Sequence, residues 1–314
     1  MKKKIITLFV LVLIIAACFI PVTQQETITL KYPFLNVFTL LSDPANWRKW
    51  RSDINTVPTA DSNKFLIKRD TNSFGFKYGQ KELEVRSGGY LFEIEDSWNN
   101  KTVDYSYIIV PDTTPHKTFV FVNKKTSAIN YLIGKLSKTS FDDTHINDLK
   151  KFIETDSLLY GYSIFKTKVP AENLIEIKRK VSSKDQFTIA ENMQAVLQEY
   201  LKKHDIKKVQ PLIAQFLPRD KDSTQVNIGF YIDKPVKSED EVVFTQMPKG
   251  GPLYAAKYVG SFNQRMKVYK SLSQYFGDHS YQQAIQPFEV YLDDKLPTSD
   301  TDKVNIQINF SSYY

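Results

Sequence analysis

Cysteine is almost missing from this chain of 314 residues, and the single one, Cys18, allows neither an intramolecular disulfide nor a cysteine-built zinc site. Histidine is scarce too. His116, His145, His204 and His279 lie far apart and lack metal-ligand spacing, so they read as surface or helix-end residues. No metal and no cofactor is implied. The net charge of +7 is modest, and part of it is Lys2-Lys3-Lys4. The remaining basic pairs, such as Lys202-Lys203 and Lys207-Lys208, are interleaved with acids. They read as solvated helix faces, not as a nucleic-acid patch. What is plentiful is apolar and aromatic: 42% hydrophobic residues, with 21 Phe and 18 Tyr. That is the composition of globular domains with cores, not of a disordered or multi-span membrane chain. The length suits two domains.

Residues 5 to 22 form an uncharged apolar run behind the three lysines. Two readings compete. One is an uncleaved anchor, since about 20 apolar residues cross a bilayer core. The other is a lipoprotein signal. Ile15-Ala16-Ala17-Cys18 resembles a bacterial lipobox, with Cys18 as the lipidation site, although Phe19-Ile20-Pro21-Val22 continues the apolar run where a lipoprotein turns polar. The anchor is preferred. Either way the lysines stay in the cytoplasm, and the later residues face the extracytoplasmic side, periplasm or cell exterior. The expected division is 1–23 anchor or signal, 24–162 first domain and 163–314 second domain.

In the first domain, Glu26 to Leu30 alternates as a strand. Phe34 to Leu41 has helical spacing, and Ser42-Asp43-Pro44 restarts a helix that sets Trp47 and Trp50 on one face. Strand-like segments follow at Lys64 to Lys68, Phe76 to Val85, Tyr90 to Glu95, Val103 to Val110 and Thr118 to Val122, which predicts an antiparallel meander. Thr144 would cap a long closing helix with the stripe Ile146, Leu149, Phe152 and Ile153. Such a stripe must lie across the sheet, giving a helix-grip arrangement. Phe34-Leu35-Asn36-Val37-Phe38 with Asp43 to Trp50, and Leu149 to Thr155, resemble the two ends of START-like (polyketide-cyclase/dehydrase-type, SRPBCC) domains. The resemblance implies a cavity for apolar ligands. For Trp47 and Trp50, simple core packing is the preferred reading. No paired acids or nucleophile–base set stands out.

The second domain contains a degenerate repeat. Gln210-Pro211-Leu212-Ile213-Ala214-Gln215-Phe216-Leu217 stands against Gln286-Pro287-Phe288-Glu289-Val290-Tyr291-Leu292. Pairing Pro211 with Pro287 puts Glu289 where the first copy has Ile213. Each segment follows a histidine ending a helical pattern (His204, His279). Each copy reads strand–helix–strand–strand: Leu174 to Lys178, Thr188 to Lys203, Leu212 to Leu217 and the strand from Val226; then Tyr254 to Tyr258, the helix with Val268, Leu272, Tyr275 and Phe276, the strand with Glu289 and the strand from Val304. The expected fold class is therefore α+β: a helix-grip domain plus a tandem strand–helix–strand–strand repeat whose helices share one side of an antiparallel sheet. In the strand at Glu289, Phe288, Val290 and Leu292 point one way and Glu289 and Tyr291 the other. The apolar trio suits the helix-covered face, which would leave Glu289 and Tyr291 facing a groove.

Tyr258-Val259-Gly260-Ser261-Phe262, Tyr269 and Pro287-Phe288-Glu289-Val290-Tyr291-Leu292-Asp293 resemble the GyrI-like family, the bacterial transcription-activator effector-binding domain. The resemblance implies a groove in which the glutamate receives cationic or polar ligands between aromatic walls. No helix-turn-helix accompanies it here. The leading expectation is a membrane-tethered, non-enzymatic binding protein for an amphipathic or cationic small molecule. Glu289 would be the counter-ion, with Tyr291, Tyr258, Phe262 and Tyr275 as walls. No nucleic-acid partner and no catalytic residue is assigned. The alternatives are a hydrolase of small electrophiles using Glu289 as general base, and an interaction module whose pocket is filled.

Overall fold

In the computed structural model, residues 19–55, 68–70, 72–99, 101–139, 141–248 and 250–313 are described, together with residues 6, 12, 15 and 16. Cys18, and all of the expected strand at Lys64 to Lys68 except its last residue, fall outside the described residues. Among the described residues no helix is long and apolar enough to cross a membrane. The chain divides into two compact units, Met1–Thr155 and Asp156–Tyr314.

The first unit is a seven-stranded antiparallel sheet clasped by helices. Its strands are β1 (Pro21–Leu30), β2 (Lys68–Asp70), β3 (Ser73–Tyr78), β4 (Lys81–Gly88), β5 (Leu91–Trp98), β6 (Lys101–Pro111) and β7 (Thr118–Ser127). They lie in the order β1-β7-β6-β5-β4-β3-β2, so the meander is closed by its own first strand, which pairs with β7 over all ten residues. β1 starts five residues before Glu26, because pairing to β7 extends it through residues that do not alternate.

Helices α1 (Phe34–Ser42), α2 (Pro44–Trp50) and α3 (Ser52–Asn55) follow β1. Asp43 caps α2 by accepting from the Ala45 amide, with Pro44 at the first helical position, as the sequence predicts. Trp47 and Trp50 are core residues, ring centroids 4.8 Å apart, and Trp47 Nε1 donates to the Leu41 carbonyl. Helix α4 (Ala128–Ser137) leaves β7. The closing helix α5 (Ile146–Ile153) is two turns long, not the long helix expected, though all four stripe residues are buried. Thr144 is not its cap. It is buried in a 3₁₀ turn with its hydroxyl on the Phe141 carbonyl, and His145 begins α5 in the left-handed conformation.

The second unit opens with α6 (Asp156–Leu159) and β8 (Ile164–Lys168). The first repeat is β9 (Asn173–Ser182), α7 (Gln186–Lys203), β10 (Leu212–Pro218) and β11 (Ser223–Tyr231). After β12 (Val243–Gln246) comes the second: β13 (Pro252–Ser261), α8 (Met266–Asp278), β14 (Phe288–Tyr291) and β15 (Lys303–Ser311). The sheet order β12-β9-β11-β10-β14-β15-β13-β8 is a pseudo-two-fold arrangement, with β10 and β14 paired at the centre and one extra strand at each edge. Leu197 of α7 and Leu272 of α8 join Ile177, Ile228, Ala256 and Ile306 of the sheet in one core, so both helices cover the same face. The other face carries a smaller cluster around Leu174, Ile213, Tyr231, Leu253 and Phe288.

Candidate functional site

Glu289 sits on central strand β14, and the structure reverses the expected faces. Tyr291 belongs to the helix-covered core with Ala214 and Ile308, the two residues paired with Glu289 across the ladder. Phe288 and Val290 belong to the uncovered face with Ile213. The repeat register is corrected with it. A one-residue slip moves a strand residue to the opposite face. The helix-ending histidines, the tyrosines Tyr200 and Tyr275, and the phenylalanines Phe187 and Phe262 all match at an offset of 75 (for example 204 to 279). At that offset Glu289 corresponds to Ala214, not Ile213. The proline match misleads because the connection has the same length in both copies but Pro287 stands one residue further along it than Pro211, at the place of Leu212.

Glu289 is 0% exposed and fully engaged. Arg265 Nε donates to Oε1 at 2.7 Å, the Tyr269 hydroxyl to the same oxygen at 2.9 Å, and the Tyr291 hydroxyl to Oε2 at 2.7 Å. Arg265 comes from the 3₁₀ turn Phe262–Arg265 that leads into α8, and it is buried as well. Its guanidinium carbon lies 3.4 Å from the centroid of the Phe262 ring, and Nη1 donates to the Phe262 carbonyl at 3.0 Å. Phe262 in turn meets Phe187 and Phe216 edge-on, at 5.4 and 5.2 Å between centroids. Burial, and after it the charge of Glu289, pushes both tyrosine hydroxyls well above their ordinary pKa, which keeps them donors.

This is the recognition set for an organic cation: a carboxylate, a ring face and two hydroxyls that orient the acid. The cation in it is the protein's own. At the offset of 75, Arg265 and Glu289 answer to Ala190 and Ala214, both fully buried, so the second repeat holds an ion pair where the first holds two methyl groups. The sequence does carry a signal for Arg265. Phe262, Arg265 and Tyr269 recur at i, i+3 and i+7, one face of the helix entry. General-base chemistry needs a carboxylate that can take a proton from water; here Glu289 is closed to solvent and its oxygens already serve three donors.

The other expected wall residues lie elsewhere. The Tyr258 hydroxyl donates to the Ser261 carbonyl at 2.8 Å, and its ring folds over Gly260, where a Cβ would come within 2.5 Å of the hydroxyl oxygen. Tyr275 stacks on His279 at 4.0 Å and packs with Tyr160, Tyr254 and Tyr281.

The uncovered face of the same sheet holds a concavity of about 300 Å³, floored by Ile213, Phe288 and Tyr231 and rimmed by Gln215, Gln225, Asn227 and Met247. The amides form a chain: Gln225 donates to Asn227, Asn227 to Gln215, and Gln215 to the Pro287 carbonyl. Gly229 lets β9 and β11 close beneath it, since a Cβ there would lie 2.9 Å from the Ile175 carbonyl oxygen. The Tyr231 hydroxyl is buried with no hydrogen-bond partner among the described residues, and burial raises its pKa.

In the first unit, the structure gathers a charged cluster that no sequence pattern announces. Buried Arg51 grips Asp53 through Nε (2.9 Å) and Nη2 (3.1 Å), also bonds Asp96, and donates to Tyr105 at 3.2 Å. Lys81 bonds Asp53 too, and His145 Nε2 lies 3.6 Å from it. Asp53, Asp96 and His145 bring potential ligand atoms within 4.8 Å of one another. Arg51 and Lys81 already supply the positive charge there, so the cluster reads as a pin joining the α2–α3 turn to β4, β5, β6 and the start of α5. Burial pushes the Asp53 carboxyl up, but Arg51, His145 and Lys81 outweigh it and hold it down at about 2.

No protein-family model matches the chain, and no curated protein sequence matches it. Solved structures do. The C-terminal domain of EcmrR is similar at 18% identity over 48% of this chain and 98% of that one, with a TM-score of 0.40. A hydrolase from Listeria innocua is similar at 13% identity over 47% of this chain and 90% of that one, with a TM-score of 0.34. The di-domain ARO/CYC BexL from the BE-7585A biosynthetic pathway is similar at 10% identity over 93% of this chain and 85% of that one, with a TM-score of 0.31. Likenesses this distant do not extend to function.

Proposed function

We propose that the chain is a non-enzymatic small-molecule-binding protein, tethered to a membrane by the part of the apolar run that precedes β1, with both units on the extracytoplasmic side. In this reading the second unit receives an amphipathic organic cation at Glu289, and the incoming cation displaces Arg265. The observation that carries the reading is the Arg265–Glu289 pair. A buried ion pair is rarely the most stable way to fill a core, because desolvation offsets much of the attraction. The first repeat fills the equivalent place with Ala190 and Ala214. An internal cation stacked on Phe262 and paired with Glu289 therefore acts as a resident competitor, and the affinity for an external cation falls by the fraction of time Arg265 is out.

The test uses the full chain, with thermal unfolding of wild type, Arg265→Ala, and Arg265→Ala combined with Glu289→Gln, against alkylguanidines and lipophilic ammonium ions. Arg265→Ala should be destabilised and rescued by the cations, by about 2.7 kcal/mol at a hundred times the dissociation constant. Wild type should respond less, and the double variant should not respond. Equal stabilisation of all three, or of none, would sink the reading. Glu289→Gln alone would strand a buried guanidinium and so tests stability before it tests binding. The tether has its own check: the chain should stay with membranes through alkaline carbonate washing.

A second reading rests on Tyr231. A buried hydroxyl without a partner costs about 1–3 kcal/mol, which an acceptor atom in the 300 Å³ concavity would recover. That site would take a neutral amphipathic molecule. Stabilisation by neutral ligands, lost in Tyr231→Phe and indifferent to Glu289, would move the function to this face.

A further inference from the structure

Helix α4 is amphipathic, yet none of its ten residues is buried. Its apolar residues Ile129, Leu132, Ile133 and Leu136 fall at i, i+3, i+4 and i+7, a single stripe. In a globular domain that stripe faces the core. Here it faces out: Leu132 is 52% exposed, Ile133 56% and Leu136 86%. A ten-residue helix is marginal in water by its own hydrogen bonds, so an unburied stripe of four large residues calls for something to cover it.

The position of α4 says what covers it. Its cap residue Ser127 is the ladder partner of Pro21, and the Ala128 amide donates to the Ile20 carbonyl at 3.0 Å. The helix therefore starts where the apolar N-terminal run enters the sheet. Phe19 and Ile20, 80% and 53% exposed, add two further apolar side chains at that point of entry. The charges fit as well. α4 holds no acid; Lys135 lies within it, and Lys125 and Lys138 flank it, all exposed. Asp142 and Asp143 come after the helix, and Asp143 is taken by Lys124 at 2.6 Å. A helix with an apolar stripe and lysines beside it is built to lie in the headgroup region of an anionic bilayer.

We infer that α4 is a membrane-surface helix. Its stripe inserts into the outer leaflet beside the N-terminal anchor and holds the first unit with the 20–21 and 127–128 end of its sheet against the bilayer. The 112–117 loop, which joins β6 to β7 at the other end of the sheet, then points away from the lipid. This inference rests on the proposed tether.

The experiment reconstitutes the full native chain into vesicles of phosphatidylglycerol and phosphatidylcholine that contain a diazirine on the acyl chain. After irradiation, peptides are mapped by mass spectrometry. Lipid adducts are expected in the N-terminal run and in residues 128–137, and on the order of tenfold fewer in 112–117, given the area that the stripe would bury. Leu132→Gln with Leu136→Gln should remove the α4 adducts and leave the N-terminal ones. Adducts confined to the N-terminal run would overturn the inference while leaving the tether standing. Adducts in neither segment would overturn both. Adduct-free α4 peptides that become protected from hydrogen exchange as protein concentration rises would give the stripe to a second copy instead.

Discussion

Replacing Glu289 by Gln gives a demanding check of the buried pair. The substitution keeps the shape but turns one of the two acceptor oxygens, which Tyr269 and Tyr291 use separately, into an NH2 donor, and it removes the charge that compensates Arg265. Because Glu289 has no solvent exposure and Arg265 almost none, water cannot take the carboxylate's place. Breaking such a pair from one side costs about 3–5 kcal/mol. For a unit of this size that is roughly 6–20 °C in Tm, and a large share of a typical 5–15 kcal/mol stability. Arg265→Met combined with Glu289→Gln removes both charges and refills the space, so its loss should return to within about 1 kcal/mol of wild type. The assay is urea unfolding of the full chain followed by two probes. All three tryptophans, Trp47, Trp50 and Trp98, lie in the first unit, so their fluorescence reports that unit, while far-ultraviolet circular dichroism reports both. The dichroism transition should shift in the single variant and return in the double. If the two substitutions add to within about 0.5 kcal/mol, the residues are not coupled and the account of the site fails.

Other outcomes follow from the geometry. Asp53 is held at about 2 against an ordinary 3.8, so its contribution is complete above about pH 4 and is lost as pH falls toward 2. The amount is about 2 kcal/mol, and the pH dependence of the tryptophan-monitored transition should flatten between pH 4 and 2 in Asp53→Asn; an unchanged slope refutes the pin. Gly229→Ala forces a Cβ against the Ile175 carbonyl oxygen and should cost about 1–3 kcal/mol by the same urea assay. Tyr231→Phe removes a hydroxyl that has no partner, so the variant should unfold no earlier than wild type; a loss above about 1 kcal/mol would mean the hydroxyl is bonded after all.

The elements of the fold were legible because burial imposes period. The stripe Ile146, Leu149, Phe152 and Ile153 is buried as its spacing predicts, and each repeat shows its strand–helix–strand–strand order. Register was not legible. Pro211 and Pro287 look alike, but proline marks the turn before the strand and not the face of the residues after it, so the proline match pairs Glu289 with Ile213 where the fold pairs it with Ala214. The face assignment failed for a related reason. Apolar residues were assigned to the helix-covered side, but the uncovered side of this sheet has its own apolar cluster at Ile213, Tyr231 and Phe288. Arg51, Asp53, Asp96 and His145 are spread over 95 residues of sequence, and nothing local links them; only closure of the sheet on α2 and α5 does. The exposure of the α4 stripe is not legible in the sequence, because a stripe without a partner carries the same pattern as a stripe with one.

The exchange of Ala190 and Ala214 for Arg265 and Glu289 between two halves of one sheet has a historical consequence. Starting from two alanines, the first step toward the pair buries a lone charge, and starting from the pair, the first step back strands one. Each route crosses a variant several kcal/mol less stable than its ends. Two otherwise interchangeable repeats are thus separated by a valley that single substitutions cross with difficulty. A half that carries the pair returns to two alanines by single substitutions only through that less stable variant.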